Sequence, residues 1–558
     1  MVPRVACAQV VFTSPLPRGI LQVQGGHADL RLHLTISGYQ NFSIKLSSDI
    51  DTTSPLVGWV PVAISNGVVD TLITVPKSLR DYALYWRTGV SPGDTGGTIP
   101  GLTPGHVIGI AGQSNAEGFT YDMVVTPDGD IRMLKTDTTW QPAHEPTGRF
   151  GGGPWIVMAN QLYRSLGDSL PIGIVNAAES SSALTIKNSI GGQWIRNPIV
   201  PQDSSVYGNA VRRFFHAGGE LEALCWIQGE SDGMYLADPD TYRIAFASLM
   251  SGFHTDLSDS FPIFHLQIGG MDGAAIAGWP AVREAERRLS PSTMVGTALG
   301  RSVEDGLHYS SPTMWAVGRM FAAAILSRQY GIDSGLYPPL LPDTIAMLDS
   351  IGDENIKGSY CFSIGWTRSG KSVPVSLLRS VQYFTVSEDG TAFDTSDVWV
   401  KISPRDPSRI LIGLKNDSIS LGHDWKITYD ATSEADRAPL AEIDPITGDT
   451  IFGTAFSELP VDPASRSMAS VKEFMVQRVV LNPSMNELHC YVFATKSENL
   501  TFDLLDDLGV LCTQQSAMLG PGLHDIPIPL GDFCSGHYWI ELRDENGGCS
   551  VEKAVVTR

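Results

Sequence analysis

The sequence predicts a multidomain protein in which a central α/β domain is flanked by all-β domains. Its 558 residues are more than one hydrophobic core usually holds. Residues 1 to about 90, and those after about 335, show short apolar alternations separated by Gly, Pro, Asn and Asp, a pattern typical of β-sandwiches. Between them, apolar strand candidates alternate with amphipathic segments of helix length. This alternation predicts a parallel sheet with helices on both faces.

Four strands and five helices are expected in the central region. The strand candidates VIGIA, IGIVNA, LEALCWI and IFHLQIG begin at residues 107, 172, 221 and 263. The helix candidates are PWIVMANQLYRSLG, NAVRRFFHAGG, DTYRIAFASLMSGFH, WPAVREAERRL and PTMWAVGRMFAAAILSRQY. In the last segment five apolar residues recur at helical spacing and predict one buried face: Met314, Val317, Met320, Phe321 and Ile325.

Two segments rich in turn-forming or small polar residues are predicted to be linkers, TGVSPGDTGGTIPGLTPGH before the central region and SELPVDPASRSMAS after it. The expected domains are therefore an N-terminal β-sandwich with its linker (1–104), the α/β domain (105–334), a second β-sandwich (335–455), and a linker with a C-terminal β domain (456–558).

The composition argues against several classes of partner. With 60 acidic and 39 basic residues the formal charge is −21, which disfavours nucleic acid and anionic membranes. No window offers the roughly 18 uninterrupted apolar residues of a membrane-spanning helix. There is no CxxC or HExxH motif and no carboxylate cluster with ligand spacing, so we expect no metal and no other cofactor.

Four of the seven cysteines lie near the C-terminus: Cys490, Cys512, Cys534 and Cys549. They permit up to two disulfides in an oxidising compartment, and buried free thiols are the alternative.

A candidate nucleophile follows the first central strand. Val107 to Ala111 lead into the turn GQSN, which holds Ser114 between Gln113 and Asn115. Active sites of parallel α/β sheets lie at the carboxyl ends of the strands, which is where this turn falls. Either the turn only reverses the chain, or it presents a serine for nucleophilic attack. Gln113 and Asn115 are then candidates for binding the substrate or an oxyanion.

A serine nucleophile needs a base and a group that orients the base. His308 in EDGLHYSSPTMW lies three residues after Asp305, a spacing that lets a short turn bring the carboxylate to imidazole Nδ1. A plain Asp-Gly turn with a surface histidine is the alternative. In WIQGESD, Gln228 follows a strand end and is a candidate oxyanion donor, while Glu230 suits either a helix cap or a hydrogen-bonding role.

The motifs GQSN, WIQGESD and DGLHYS occur in this order and resemble the SGNH hydrolase superfamily, specifically its sialic-acid-specific acetylesterase and carbohydrate esterase family 6 branch. The resemblance covers roughly residues 105–330 and implies a flavodoxin-like central domain. It implies Ser114 as nucleophile, His308 as base and Asp305 as the residue that orients the base.

The same resemblance implies an oxyanion hole and shows one departure from the family pattern. Gln228 resembles the block that replaces the superfamily's oxyanion asparagine, and Glu230 a structural hydrogen-bonding residue. The family usually has a Gly-Gly pair after its second strand, whereas this chain has Glu179 and Ser180 in NAAESSSAL. A backbone N–H survives this change, so Ser180 is still expected to donate, provided that the turn avoids a conformation that only glycine tolerates.

The C-terminal segment, from LNPSMNELHCYV to VEKAVVTR, resembles the sorting domain of type IX secretion, with a plain β-sandwich as the alternative. The resemblance implies a secreted or cell-surface protein that the type IX machinery exports. MVPRVACAQVVF carries a signal-like ACA but too short an apolar core, so either there is no signal peptide or most of one is missing from this sequence. The export implied by the C-terminal resemblance favours the second alternative.

Together these observations predict a secreted serine esterase that removes O-acetyl groups from a carbohydrate, either a polysaccharide or sialic acid. Four tryptophans are candidates for stacking on sugar rings, although core positions are their more common role: Trp140, Trp155, Trp194 and Trp226. One alternative is a lipase or thioesterase of the same superfamily. Another is a carbohydrate-binding protein on an inactive hydrolase scaffold.

Overall fold

In the computed structural model the chain forms two compact units, the first holding residues up to Pro339 and the second most residues from Leu340 on. The structure describes residues 9–48, 55–89, 94–121, 124–235, 238–257, 259–271, 276–333, 335–349, 360–368, 371–373, 375–377, 383–403, 408–415, 419, 423–430, 440–443, 450–462, 474–482, 486–494, 497–506, 511–531, 533, 535–544 and 549–556.

The described residues of the first unit form fourteen strands and seven helices. The strands are β1 (Gln9–Ser14), β2 (Ile20–Gln24), β3 (His27–Ser37), β4 (Ser43–Ser48), β5 (Val57–Pro61), β6 (Val68–Pro76), β7 (Tyr82–Arg87), β8 (Gly96–Gly112), β9 (Ile131–Leu134), β10 (Trp140–Pro142), β11 (Ile172–Asn176), β12 (Ala223–Ile227), β13 (Ile263–Gln267) and β14 (Thr293–Thr297). The helices are α1 (Ser114–Glu117), α2 (Trp155–Leu166), α3 (Val206–His216), α4 (Glu230–Gly233), α5 (Pro239–Leu257), α6 (Trp279–Arg287) and α7 (Ser311–Tyr330).

The central sheet has the order β10-β9-β11-β8-β12-β13-β14, and all its pairs except β9–β10 are parallel. Side chains alternate between two cores, as the pleat of a strand requires. Ile108 and Cys225 pack with α2 and α7, while Val107 and Leu224 pack with α3, α5 and α6. The five helices predicted from the sequence are all present, and the predicted apolar face of α7 is buried. Strands β9, β10 and β14 were not predicted.

The N-terminal strands form a core of their own. Alternate residues of β3 are buried, including Leu30, Leu32 and Leu34, and they pack with apolar residues of β4, β6 and β7. This alternation is the period-2 pattern that the sequence shows.

The prediction of a linker before the central region is wrong from Gly96 onward. Residues 96–112 form the single strand β8, which pairs with β7, then with β2, and then with β11 and β12. Its glycines reflect close packing rather than flexibility: a Cβ on Gly97 would lie 2.9 Å from the Trp86 ring, and one on Gly105 would lie 2.4 Å from the Pro171 oxygen. The predicted boundary at residue 104 therefore falls inside a strand.

The second unit contains β-strands and one short 3-10 helix among the residues described. The strands are β15 (Leu341–Asp349), β16 (Tyr360–Arg368), β17 (Lys371–Ser372), β18 (Ser376–Leu377), β19 (Phe384–Glu388), β20 (Thr391–Ala392), β21 (Val398–Ile402), β22 (Arg409–Leu414), β23 (Trp425–Tyr429), β24 (Leu440–Ile443), β25 (Thr450–Phe452), β26 (Phe456–Asp462), β27 (Phe474–Asn482), β28 (Glu487–Ala494), β29 (Glu498–Asp506), β30 (Leu511–Leu519), β31 (Gly522–Pro529), β32 (Gly536–Arg543) and β33 (Cys549–Val556); the 3-10 helix is Thr395–Asp397.

These strands confirm the prediction that the chain is multidomain and mostly β outside its centre. The C-terminal part forms the sheets β27-β28-β31 and β30-β29-β32-β33, whose apolar residues share one core. The predicted linker SELPVDPASRSMAS begins inside β26, which pairs with β15, so the boundary at residue 455 is misplaced; residues 463–473 lie outside the described part. Within the described residues, no helix is long and apolar enough to cross a bilayer.

We predict that Gly105→Ala destabilises the first unit by about 1–3 kcal/mol, because the new methyl group overlaps the Pro171 carbonyl and the Ile20 side chain. Gly26→Ala is the matched control, since its Cβ would meet nothing within 4 Å. We expect that control to stay within about 0.5 kcal/mol of the parent protein. Urea unfolding measures both variants, and equal stability of the two would show that β8 is not tightly packed at Gly105.

Candidate active site

Gly112 and Gln113 shape the turn that holds Ser114. Gly112 has φ of 135°, and a Cβ there would lie 2.0 Å from the Ile227 carbonyl oxygen, so only glycine fits. The N–H of Gln113 donates to that same oxygen at 2.9 Å. The chain then enters α1, and Ser114 is 6% exposed at its first position. The serine therefore lies on a short helical turn beyond the end of β8.

His308 and Asp305 form a hydrogen-bonded pair. Asp305 Oδ2 is 2.7 Å from His308 Nδ1, and Asp305 Oδ1 accepts the N–H groups of Leu307 and His308 at 3.1 and 2.8 Å. Burial alone would raise the pKa of Asp305, but the hydrogen bonds from His308 and Leu307 outweigh it and lower that pKa. An ionised carboxylate on Nδ1 leaves Nε2 as the nitrogen that can accept a proton.

Asn115 connects the three sequence motifs. Its Oδ1 accepts the N–H of Tyr309 at 3.0 Å, and its Nδ2 donates to Glu230 Oε1 at 2.7 Å. Asn115 is next to Ser114 and Tyr309 is next to His308, so this amide fixes the serine turn against the histidine loop. Glu230 is 4% exposed, and burial raises its pKa despite the bond from Asn115. Asn115 and Glu230 thus hold the site together rather than face a substrate.

Gln113 and Gln228 form a second buried connection. Gln113 Oε1 accepts from Gln228 Nε2 and from the N–H groups of Gly229 and Ser231 at 3.1–3.3 Å. Gln228 is fully buried, and its Nε2 also donates to Asp232. With its amide hydrogens engaged in the protein, Gln228 does not fit the predicted role of oxyanion donor. It joins the strand end to the serine turn.

The predicted donor Ser180 is also engaged. Its N–H and Oγ both donate to Glu117 Oε2, at 2.9 and 2.5 Å. Neither Glu179 nor Ser180 has a positive φ, whereas Ser181 does, at 57°. Glu179 and Ser180 thus avoid the positive-φ conformation that only glycine tolerates. The expected presentation of the Ser180 N–H to an oxyanion does not occur in this arrangement.

Arg149 lies between two carboxylates beside the turn. Its Nε is 3.6 Å from Glu117 Oε1, and its Nη2 contacts Glu179 Oε2. Burial raises the pKa of Glu179 although Arg149 opposes that change. The guanidinium of Arg149 thereby partly neutralises the charge of Glu179, which stands where the family pattern has a glycine.

Several residues of this site were missed in the sequence. Glu117 lies two residues after the GQSN motif, but nothing in the pattern indicated its bonds to Ser180. Glu304 directly precedes Asp305, and its carboxylate accepts from Thr120 Oγ1 at 2.5 Å and from the Tyr121 N–H at 3.3 Å. All of these bonds join residues more than 60 positions apart in the sequence, so local spacing could not reveal them.

The four tryptophans considered for sugar stacking are buried in the core: Trp140, Trp155, Trp194 and Trp226. Within the described residues, no group of three or more His, Cys, Asp or Glu side chains is arranged to hold a metal ion.

Comparison with known proteins identifies the class of the central domain. Residues 104–327 match the family model described as carbohydrate esterase, sialic acid-specific acetylesterase. An Arabidopsis thaliana protein named "Probable carbohydrate esterase" is 29% identical over 269 residues, which are 43% of this chain and 97% of that protein. The protein is thus an esterase. Its residues 104–327 are similar to the carbohydrate esterase family.

A solved structure supports the fold. The carbohydrate acetylesterase of Xanthomonas citri aligns with a TM-score of 0.56 at 16% identity, covering 83% of this chain and 100% of that one. At this identity the likeness concerns the fold alone.

We predict that Asn115→Ala lowers kcat/KM for an acetyl ester by at least about 10²-fold, because the serine turn and the histidine loop lose their shared contact. Two buried polar groups also lose their partner, at a cost of about 2–4 kcal/mol of unfolding free energy. Asn160→Ala is the control: Asn160 is also buried and bonds Thr126 and Asp128. It should lose stability but keep its rate, and equal rate losses in both variants would contradict a positioning role for Asn115.

A further prediction concerns Glu145, in the loop that carries Arg149. Burial raises its pKa to about 7, against weaker opposition from the N–H groups of Gly153 and Thr147. The folded protein therefore holds this proton more tightly than the unfolded chain, and stability falls as pH rises from about 4.5 to 7. Glu145→Gln should remove up to about 3 kcal/mol of this pH-dependent change in the free energy of unfolding. Chemical unfolding at pH 5 and 8 measures it, and an identical pH dependence in both proteins would contradict the assignment.

Proposed function

We propose that this protein is a serine esterase that removes O-acetyl groups from a carbohydrate through an acyl-enzyme. The Asp305–His308 pair, held against the Ser114 turn by Asn115, is the observation that carries the proposal. The match of the central domain to a family model described as sialic acid-specific acetylesterase supports the reaction class.

In the proposed reaction Ser114 Oγ attacks the acetyl carbonyl carbon while His308 Nε2 takes the hydroxyl proton. Asp305 keeps Nδ1 protonated and stabilises the imidazolium that forms. The tetrahedral intermediate collapses to acetyl-Ser114, and His308 returns the proton to the departing sugar oxygen. Water then hydrolyses the acyl-enzyme by the same sequence of steps.

The Ser114 N–H is the proposed main donor to the oxyanion. It lies at the first position of α1, where backbone N–H groups have no partner within the helix. The N–H groups of Ala116 and Glu117 donate to the Gln113 carbonyl instead. Since Ser180 and Gln228 donate within the protein, this assignment relies on fewer donors than the sequence suggested.

Export to the cell surface, and a type IX sorting role for the C-terminal strands, stay predictions from the resemblance of residues 471–558 alone.

We predict that Ser114→Ala lowers the hydrolysis of 4-nitrophenyl acetate by at least about 10³-fold, because the nucleophile is lost. Asp305→Asn should lower it by about 10²–10⁴-fold, because the imidazole is no longer held in the required tautomer. Ser204→Ala, an exposed serine, is the matched control and should keep the parent rate.

The same assay with 4-nitrophenyl octanoate separates the acetylesterase from a lipase. A preference for the octanoate ester would contradict the proposed substrate class. Equal rates in the Ser114→Ala and Ser204→Ala variants would contradict the nucleophile.

A further inference from the structure

Three aromatic rings continue outward from the imidazole of His308. The Phe119 ring stacks on it with 4.0 Å between centroids and an interplanar angle of 19°. Phe150 and Tyr121 flank Phe119 at 4.8 and 6.4 Å. Phe150 is 49% exposed and Tyr121 is 70% exposed. We call Phe119, Tyr121 and Phe150 the aromatic patch. The rings of Tyr121 and Phe150 face solvent, and the Phe119 ring lies between them and the proposed base His308.

The backbone under the aromatic patch is fixed from two sides. Thr120 and Gly152 exchange N–H···O bonds of 3.2 and 2.8 Å, which tie the segment with Tyr121 to the segment with Phe150. The carboxylate of Glu304 accepts from Thr120 and Tyr121, while the N–H of Glu304 donates to the His308 carbonyl at 2.8 Å. The exposed rings therefore stand on an ordered support, which reduces the entropy lost when a ligand packs on them.

The charges beside the patch are mainly negative. Arg149 contacts both Glu117 and Glu179, so one guanidinium is shared by two carboxylates. Asp305 adds a third carboxylate, with its pKa lowered by the bonds from His308 and Leu307 against the opposing effect of burial. A sugar bearing its own carboxylate would have to compete with Glu117 and Glu179 for Arg149.

We propose that the aromatic patch binds the apolar face of a neutral acetylated pyranose ring and that the adjacent carboxylates disfavour acidic sugars. Aromatic faces suit this role because the axial C–H groups of a pyranose form an apolar surface. The inference rests on the proposed function for the placement of the ester at Ser114. It narrows the substrate class from acetylated carbohydrates in general to uncharged ones.

The test uses two substrates that differ in one carboxylate, methyl tri-O-acetyl-glucopyranoside and the matching glucuronide as the free acid, with 4-nitrophenyl acetate as reference. In the double variant Tyr121→Ala/Phe150→Ala, kcat/KM should fall at least about tenfold further on the glucoside than on the reference ester. The parent should prefer the glucoside to the glucuronide by at least about tenfold. Trp59→Ala removes an exposed aromatic side chain of β5 and should change neither ratio.

Equal losses on the glucoside and on 4-nitrophenyl acetate would overturn the subsite and show that the patch only orients His308. A parent that prefers the glucuronide would overturn the charge argument.

Binding of the glucoside to Ser114→Ala, measured by calorimetry with and without the double change, tests the subsite without turnover. Binding that is lost on removing the rings supports the subsite even if no variant hydrolyses any ester, in which case only the proposed function fails. Binding that is unchanged overturns the subsite.

Discussion

The candidate site depends on one buried side-chain amide. Asn115 accepts from the histidine loop at Tyr309 and donates to Glu230 at the end of the neighbouring strand. An amide offers both an acceptor and a donor on one planar group, which a carboxylate or an aliphatic side chain does not. Because Asn115 is 1% exposed, water cannot replace either partner. The relative position of the proposed nucleophile and the proposed base is therefore set by this residue, which has no proposed part in the reaction.

A second constraint is the continuity of β8. The strand that ends at the serine turn begins among the N-terminal strands, and a polar network fixes it near its midpoint. His106 contacts Glu222 and Asp168 at 3.1 and 3.3 Å, and Gln22 donates to Glu222 while accepting the N–H of Val107. Burial would raise the pKa of Glu222, but the bonds from His106 and its neighbours outweigh it and keep that pKa low. The N-terminal strands thus support the active-site strand directly.

The sequence allowed candidates for the nucleophile, the base and the orienting carboxylate to be proposed, because their motifs are short and each lies at a strand end or before a helix. It could not separate close packing from flexibility, since glycines such as Gly97 and Gly105 look alike in a linker and in a crowded strand. It also could not assign hydrogen bonds between distant segments. The oxyanion role predicted for Gln228 rests on its place after a strand end and on the family resemblance, whereas its contacts show that its amide hydrogens are engaged within the protein.

Glu179 and Ser180, which stand where the family usually has a Gly-Gly pair, affect both the charge of the site and its supply of oxyanion donors. A side chain at Glu179 brings a carboxylate to the site, and Arg149 compensates for it only in part because Glu117 shares the same guanidinium. Glu117 in turn accepts the Ser180 N–H, which the family pattern would direct to the oxyanion. Two expected consequences have one cause: negative charge beside the proposed nucleophile should weaken the stabilisation of a developing oxyanion, and it should also repel acidic sugars. On the proposed mechanism, such an enzyme gives up part of its electrostatic catalysis and gains discrimination against negatively charged substrates.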